Sequence, residues 1–136
     1  MSRENVELVR RGYELYARGE LDAVAALFST DADLADTGGL GIAGTAAGRR
    51  IGPAGFLRAT EDATEVFDDY TVEAEEFIDA GDSVVVMARV SGRGRESGLE
   101  LKMRVAHLWT VRDRKVVRGE VYRTADEALQ AAALGG

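Results

Sequence analysis

Hydrophobic positions recur along this chain with two different periods, and the change falls near residue 70. Over Ser2 to Arg18, Val6, Val9, Tyr13 and Tyr16 follow at three- and four-residue spacing, with Glu4, Glu7, Arg10, Arg11 and Arg18 largely elsewhere, which predicts an amphipathic helix. Gly12 interrupts that helix at a cost of roughly 1 kcal/mol relative to alanine, a residue choice that marks close packing against another element. Gly19 supplies the stop, and Leu21 to Phe28 predicts a second, short helix. A short strand is expected around Asp33 to Asp36, opening into a stretch with six glycines between Gly38 and Gly52. That stretch lacks GK[ST] and fits neither nucleotide fingerprint, so it predicts a mobile flap rather than a phosphate loop. Pro53 suits the first turn of a third helix reaching about Phe67, with Phe56, Ala59, Ala63, Val66 and Phe67 as its buried face.

From Tyr70 the period becomes two. Strand-like runs follow, separated by Ala80 to Asp82, by Gly92 to Gly98 and by the polar turn Arg112 to Lys115, and the last run ends near Arg123. The stretch Leu99 to Arg123 is the centre of the pattern: Val105, His107, Trp109 and Val111 project to one side of a strand, Ala106, Leu108 and Thr110 to the other. Both sides are largely apolar, so the sheet should be covered on both faces. Thr124 and Glu127 form a T-x-x-E capping box that opens a terminal helix. Helices, antiparallel strands and a closing helix describe an α+β fold, with helices on one side of a curved sheet and one domain over 1–136.

Composition narrows the chemistry. The 136 residues are 46% hydrophobic and 30% charged, as expected of a folded globular chain. A net charge of −7 without a basic stripe argues against nucleic acid and anionic membranes as partners. The absence of cysteine removes disulfides, thiolate nucleophiles and thiolate metal sites, and a single histidine removes any site needing two imidazole ligands. No metal and no cofactor are therefore expected. The N-terminal stretch is charged throughout and no run reaches the length of a membrane span, which predicts a cytoplasmic protein.

The only histidine and the only tryptophan share one strand face, a titratable ring beside a large apolar one, as in the wall of a pocket. Arg89 lies between Ala88 and Val90, so if it points inward it needs a partner. Glu73, Glu75 or Glu100 could supply an ion pair, the favoured reading; otherwise Arg89 clamps an acidic ligand group.

The segments ENVELVRRGYELYARGELDAVAALF, IGPAGFLR, EEFIDAGDSVVVMARVSGRGRESGLEL and RVAHLWTVRDRKVVRGEVYRTADEALQAAAL, in that order and spacing, resemble the SnoaL-like branch of the nuclear-transport-factor-2-like superfamily. The resemblance implies a cone-shaped half-barrel whose strongly bent sheet wraps around the N-terminal helices. Its cavity opens at the wide end, and the outer sheet face is buried in a homodimer. Fold does not dictate chemistry in such a superfamily, so its sites are compared one by one. Ketosteroid isomerases place a general-base aspartate just after the first strand, where this chain has Asp36. Their oxyanion donors correspond here to Gly12 and His107, so that oxyanion hole is not reproduced. The epoxide-hydrolase pattern maps onto Arg89, Ser91 and Val121, and only the arginine is retained. SnoaL-type aldol cyclases use a histidine and an aspartate, matched by His107 and Asp36.

The resemblance makes Tyr13, Tyr16, Phe28, Phe56, Phe67, Met87, Trp109 and Val121 candidates for the lining of an apolar cavity, with Arg89 as a polar anchor. The expected function is cofactor-independent acid–base chemistry on a hydrophobic carbonyl compound: isomerisation, cyclisation or dehydration. Asp36 would act as base, His107 as donor or proton shuttle, and Tyr16 as an assisting donor. The competing expectations are a non-catalytic module binding a small hydrophobic molecule, or a dimeric scaffold. In those readings His107 is a hydrogen-bonded sheet histidine and Asp36 a loop cap.

Overall fold

The computed structural model describes residues 2–36 and 49–135, with the backbone alone at Ser2, Asp36 and Arg49. The glycine-rich flap expected at 38–52 falls mostly outside the described residues. Helix α1 (Ser2–Ala17) turns Val9 and Leu15 into the core and packs Val6, Tyr13 and Tyr16 against it. It ends at Gly19, whose φ of +77° closes the last turn. A Cβ at Gly12 would lie 3.3 Å from Leu27 Cδ1, so this glycine does mark a close approach.

Helix α2 (Leu21–Ala25) is shorter than the pattern predicts, and Phe28 belongs to strand β1 (Phe28–Asp36) instead. The cause is tertiary: Val116 N–H donates to Leu27 O at 2.8 Å, and Phe28 pairs with Val116. Sheet pairing thus captures residues whose local pattern favours a helix. It likewise extends β1 over nine residues, through polar Ser29 to Asp31, where the short strand expected begins only at Asp33. Strand β2 (Arg49–Ile51), which the sequence pattern does not anticipate, pairs antiparallel with β1.

Helix α3 (Gly52–Val66) carries Pro53 in its first turn. Gly52 adopts φ +68°, and a Cβ there would run into Thr30 O, so the place has no room for a side chain. Phe56, Ala59, Thr60 and Ala63 form the buried face. Val66, expected within that face, is half exposed, and Phe67 already opens the next strand, because the helix leaves the core at its last turn.

Strands β3 (Phe67–Ala80), β4 (Ser83–Gly94), β5 (Glu100–Arg112) and β6 (Lys115–Tyr122) form an antiparallel meander. Pairing of β6 with β1 is parallel, giving the sheet order β2-β1-β6-β5-β4-β3. Register shifts in the β3–β4 pair and between Thr110 and Val111 bend the sheet. Val105 to Trp109 are buried on both sides of β5, as the two-sided apolar pattern predicts. Helices α1 to α3 cover the inner face.

The outer face carries α4 (Ala125–Gly135), started by Glu127 N–H donating to Thr124 Oγ1 at 3.1 Å. Its Ala128 packs with Val85, Met87, Ala106 and Leu108. The outer face beyond α4 is polar: Glu75 pairs with Arg89 and with Arg104 at 2.9 and 2.8 Å. The apolar part of the face that the resemblance assigns to a dimer is thus covered within the chain itself. No helix among the described residues is long and apolar enough to cross a membrane.

Candidate functional site

Between α1, α3 and the inner sheet face lies a cavity of about 70 Å³. That is room for roughly five to seven water-sized spheres. Its wall is formed by Val9, Gly12, Tyr13, Tyr16, Phe28, Phe56, Thr60, His107 and Trp109, among others. Strand alternation explains the sheet's share: the odd-numbered residues of β5 face inward, which turns both His107 and Trp109 to the cavity. Helical spacing explains that of α1, where Val9, Gly12, Tyr13 and Tyr16 occupy one face. Phe28 stacks on Phe56 with centroids 5.1 Å apart and meets Trp109 edge-on at 5.9 Å.

Three polar groups inside this apolar wall are connected. Trp109 Nε1–H donates to the Tyr13 hydroxyl oxygen at 2.8 Å, and that oxygen lies 2.6 Å from His107 Nδ1. His107 is 2% exposed, and its other ring nitrogen, Nε2, is buried with no hydrogen-bond partner among the described residues. Burial alone depresses the imidazole pKa from its usual 6.5 to about 4, so the ring is neutral at pH 7. Burial raises the Tyr13 phenol well above the usual tyrosine range and raises that of Tyr16, so both remain protonated. The Thr60 hydroxyl donates to Leu57 O at 2.7 Å.

Gly119 makes the arrangement possible. It pairs with Trp109 across β5 and β6, and a Cβ there would lie 2.8 Å from Trp109 Cε3 and closer still to Cζ3. The indole therefore lies over a bare stretch of backbone, within reach of Tyr13.

Of the residues singled out from the sequence, Tyr13, Tyr16, Phe28, Phe56, His107 and Trp109 border the cavity. Asp36 ends β1, where it pairs with Val121, which in turn pairs with His107. The three α-carbons thus form one cross-strand row, with Asp36 two strand spacings, roughly 10 Å, from His107. The Asp36 side chain is outside the described residues. Val121 is buried on the inner face with Ala88, Val90 and Val105, away from the cavity. Phe67 stacks on Tyr70 at 5.8 Å instead of lining the cavity.

Met87 and Arg89 are corrections of parity. Val86 pairs with His107 and shares its face, so Met87 and Arg89 point outward, Met87 toward the α4 side and Arg89 to the Glu75 carboxylate. Arg89 is therefore an ion-pair partner that faces away from the cavity. The sequence reading does not place Leu8, Val9, Gly12, Thr60 or Val72 at the cavity. For Val9 the helical period held the signal, since it is one turn before Tyr13. The Tyr70 hydroxyl, buried and without a hydrogen-bond partner among the described residues, also has no signature in the sequence.

The bent sheet, the helices in its concavity and the apolar space between them define a nuclear-transport-factor-2-like α+β protein. The family model for the SnoaL-like domain matches residues 9–119, and the chain belongs to that family. Among solved structures, an NTF2-like protein from Burkholderia thailandensis is similar at 26% identity, covering 96% of each chain with a TM-score of 0.79. TerC, co-crystallised with polyporic acid, is similar at 22% identity over 93% of this chain and 98% of its own, with a TM-score of 0.74. A protein with a ketosteroid isomerase-like fold from Catenulispora acidiphila, in complex with trimethylamine, aligns at 16% identity over 93% and 92% of the chains, TM-score 0.71. No curated protein matches the sequence.

Proposed function

We propose that this protein binds a small hydrophobic carbonyl compound in the cavity and catalyses cofactor-independent proton transfer on it, as an isomerase, cyclase or dehydratase. The observation that carries the reading is Nε2 of His107, which has no hydrogen-bond partner among the described residues and is buried on the wall of a largely apolar cavity. A buried polar nitrogen without a partner is costly to keep, and a ligand oxygen is the partner that offsets the cost. In this scheme Asp36, in the same cross-strand row, removes a proton alpha to the carbonyl. His107 holds the oxygen on which negative charge develops. Tyr16 stands on the cavity wall as a neutral phenol, able to donate to the same ligand. Similarity to TerC and to the Catenulispora protein, each holding a small molecule, supports a ligand in this fold.

One observation favours a second reading, a module that binds without turnover: no carboxylate borders the cavity among the described residues. Exchange of alpha protons for deuterium, followed by NMR over a panel of hydrophobic ketones, separates the two. Catalysis predicts exchange that falls by about 10² or more in Asp36→Asn while ligand-induced shifts persist. Shifts without exchange in the native protein leave binding alone, and the absence of any shift removes both readings.

A further inference from the structure

The proposed chemistry needs a hydrogen-bond donor at His107 Nε2, and the side chains around the ring bear on whether the proton sits there. Resting on the carbonyl reading above, we propose that Tyr13 is a positioning residue that holds His107 in the Nε2–H form, so that the cavity wall offers a hydrogen-bond donor and discriminates ketones from alcohols.

The argument is one of counting protons. An indole N–H can only donate, so the 2.8 Å contact from Trp109 Nε1 makes the Tyr13 oxygen an acceptor. The phenol then has one hydrogen of its own to place, and the atom 2.6 Å away is His107 Nδ1. If Tyr13 O–H donates to Nδ1, the imidazole proton sits on Nε2, and of these three side chains only Nε2–H is left without a partner among the described residues. If Nδ1–H donates to the phenol instead, that oxygen accepts twice and its own hydrogen has no acceptor. The Nε2 lone pair is then unpaired as well. Two unsatisfied buried groups cost more than one, so the first arrangement prevails. It also requires a neutral ring, which burial of His107 favours.

A ketone oxygen accepts from Nε2–H and has no hydrogen to place. The matching alcohol also accepts, but its own O–H enters an apolar space. Tyr16 is not a substitute for Tyr13 here: on α1 the two lie three residues apart, and only Tyr13 reaches the ring.

Nitrogen-15 NMR of the imidazole, without ligand, reads the protonation site directly. The native protein is expected to show a single Nε2–H form, and Tyr13→Phe a mixture or an Nδ1–H form, since Nδ1 then loses its donor. An Nδ1–H form in the native protein, or an unchanged spectrum in Tyr13→Phe, would overturn the inference. Acetone and propan-2-ol, the smallest matched ketone and secondary alcohol, supply the second readout. The ketone should bind the native protein about tenfold more tightly, and Tyr13→Phe should bring the two within about threefold. Loss of packing alone would weaken both probes equally and leave the ratio unchanged, and that outcome also refutes the assignment. Failure of both probes to bind refutes the carbonyl reading of the cavity, whereas the ligand-free spectra decide the role of Tyr13 by themselves.

Discussion

Lowering the pH from 7.5 to 4.5 should destabilise this protein through one identifiable group, His107. In the folded chain burial holds the ring pKa at about 4, against 6.5 for an ordinary histidine. Below pH 6.5 the unfolded chain therefore takes up a proton that the folded chain refuses. The stability this group contributes is complete above pH 6.5. It falls by about 1.4 kcal/mol per pH unit as the pH drops, and the loss is complete near pH 4, below which both states are protonated. The drop from 6.5 to about 4 corresponds to roughly 3 kcal/mol. Against about 7–20 kcal/mol for a chain of this length, that is large enough to resolve. Urea unfolding at pH 7.5, 6.5, 5.5 and 4.5, on the native protein and on His107→Gln, isolates the effect, because the carboxylates contribute equally to both. The native protein should lose roughly 2–3 kcal/mol more than the variant between pH 6.5 and 4.5. Parallel curves would show that the ring is not held neutral by burial, and the picture of an imidazole enclosed by Tyr13, Trp109 and apolar side chains would fail.

Two further substitutions test the packing around that ring and the reassigned arginine. Gly119→Ala places a methyl group against the Trp109 indole. It should cost about 1–3 kcal/mol by overpacking and shift tryptophan fluorescence to the red as the bond to Tyr13 breaks; unchanged fluorescence would refute the seating of the indole over the glycine. Arg89→Ala removes one exposed partner of Glu75, with Arg104 still in place. Denaturant titration should register a loss below about 1 kcal/mol, with no change in the imidazole NMR signals. A loss of ligand binding would return Arg89 to the cavity.

Much of the architecture was legible because it rests on periodicity. Val6, Val9, Tyr13 and Tyr16 repeat with a helical period, and Val105 to Val111 form a short apolar run bounded by charged residues and a polar turn, so α1 and β5 are found from local pattern alone. The two-sided apolar character of β5 foretold a covered outer face, and α4 supplies the cover. What the pattern missed was decided at a distance. Phe28 has a helical neighbourhood but pairs with Val116, and β2 exists only because β1 offers it an edge. Three residues, Arg49 to Ile51, are too few to show a period of their own.

The site was legible to the level of faces and no further. His107 and Trp109 share a strand face by parity, which holds wherever the strand lies. Met87 and Arg89 depend on the register of β4 against β5, and a shift of one residue reverses every assignment on a strand. The link between Tyr13 and His107 spans 94 residues of sequence and a single 2.6 Å contact. Neither a period nor a motif encodes such a contact. It follows from the glycine opposite Trp109, which lets the indole lie flat and present its N–H to the phenol. A glycine in the middle of a strand weakens the strand on propensity alone, so Gly119 reads locally as a defect. In the folded chain it is the space that brings the ring nitrogens of Trp109 and His107 to one hydroxyl.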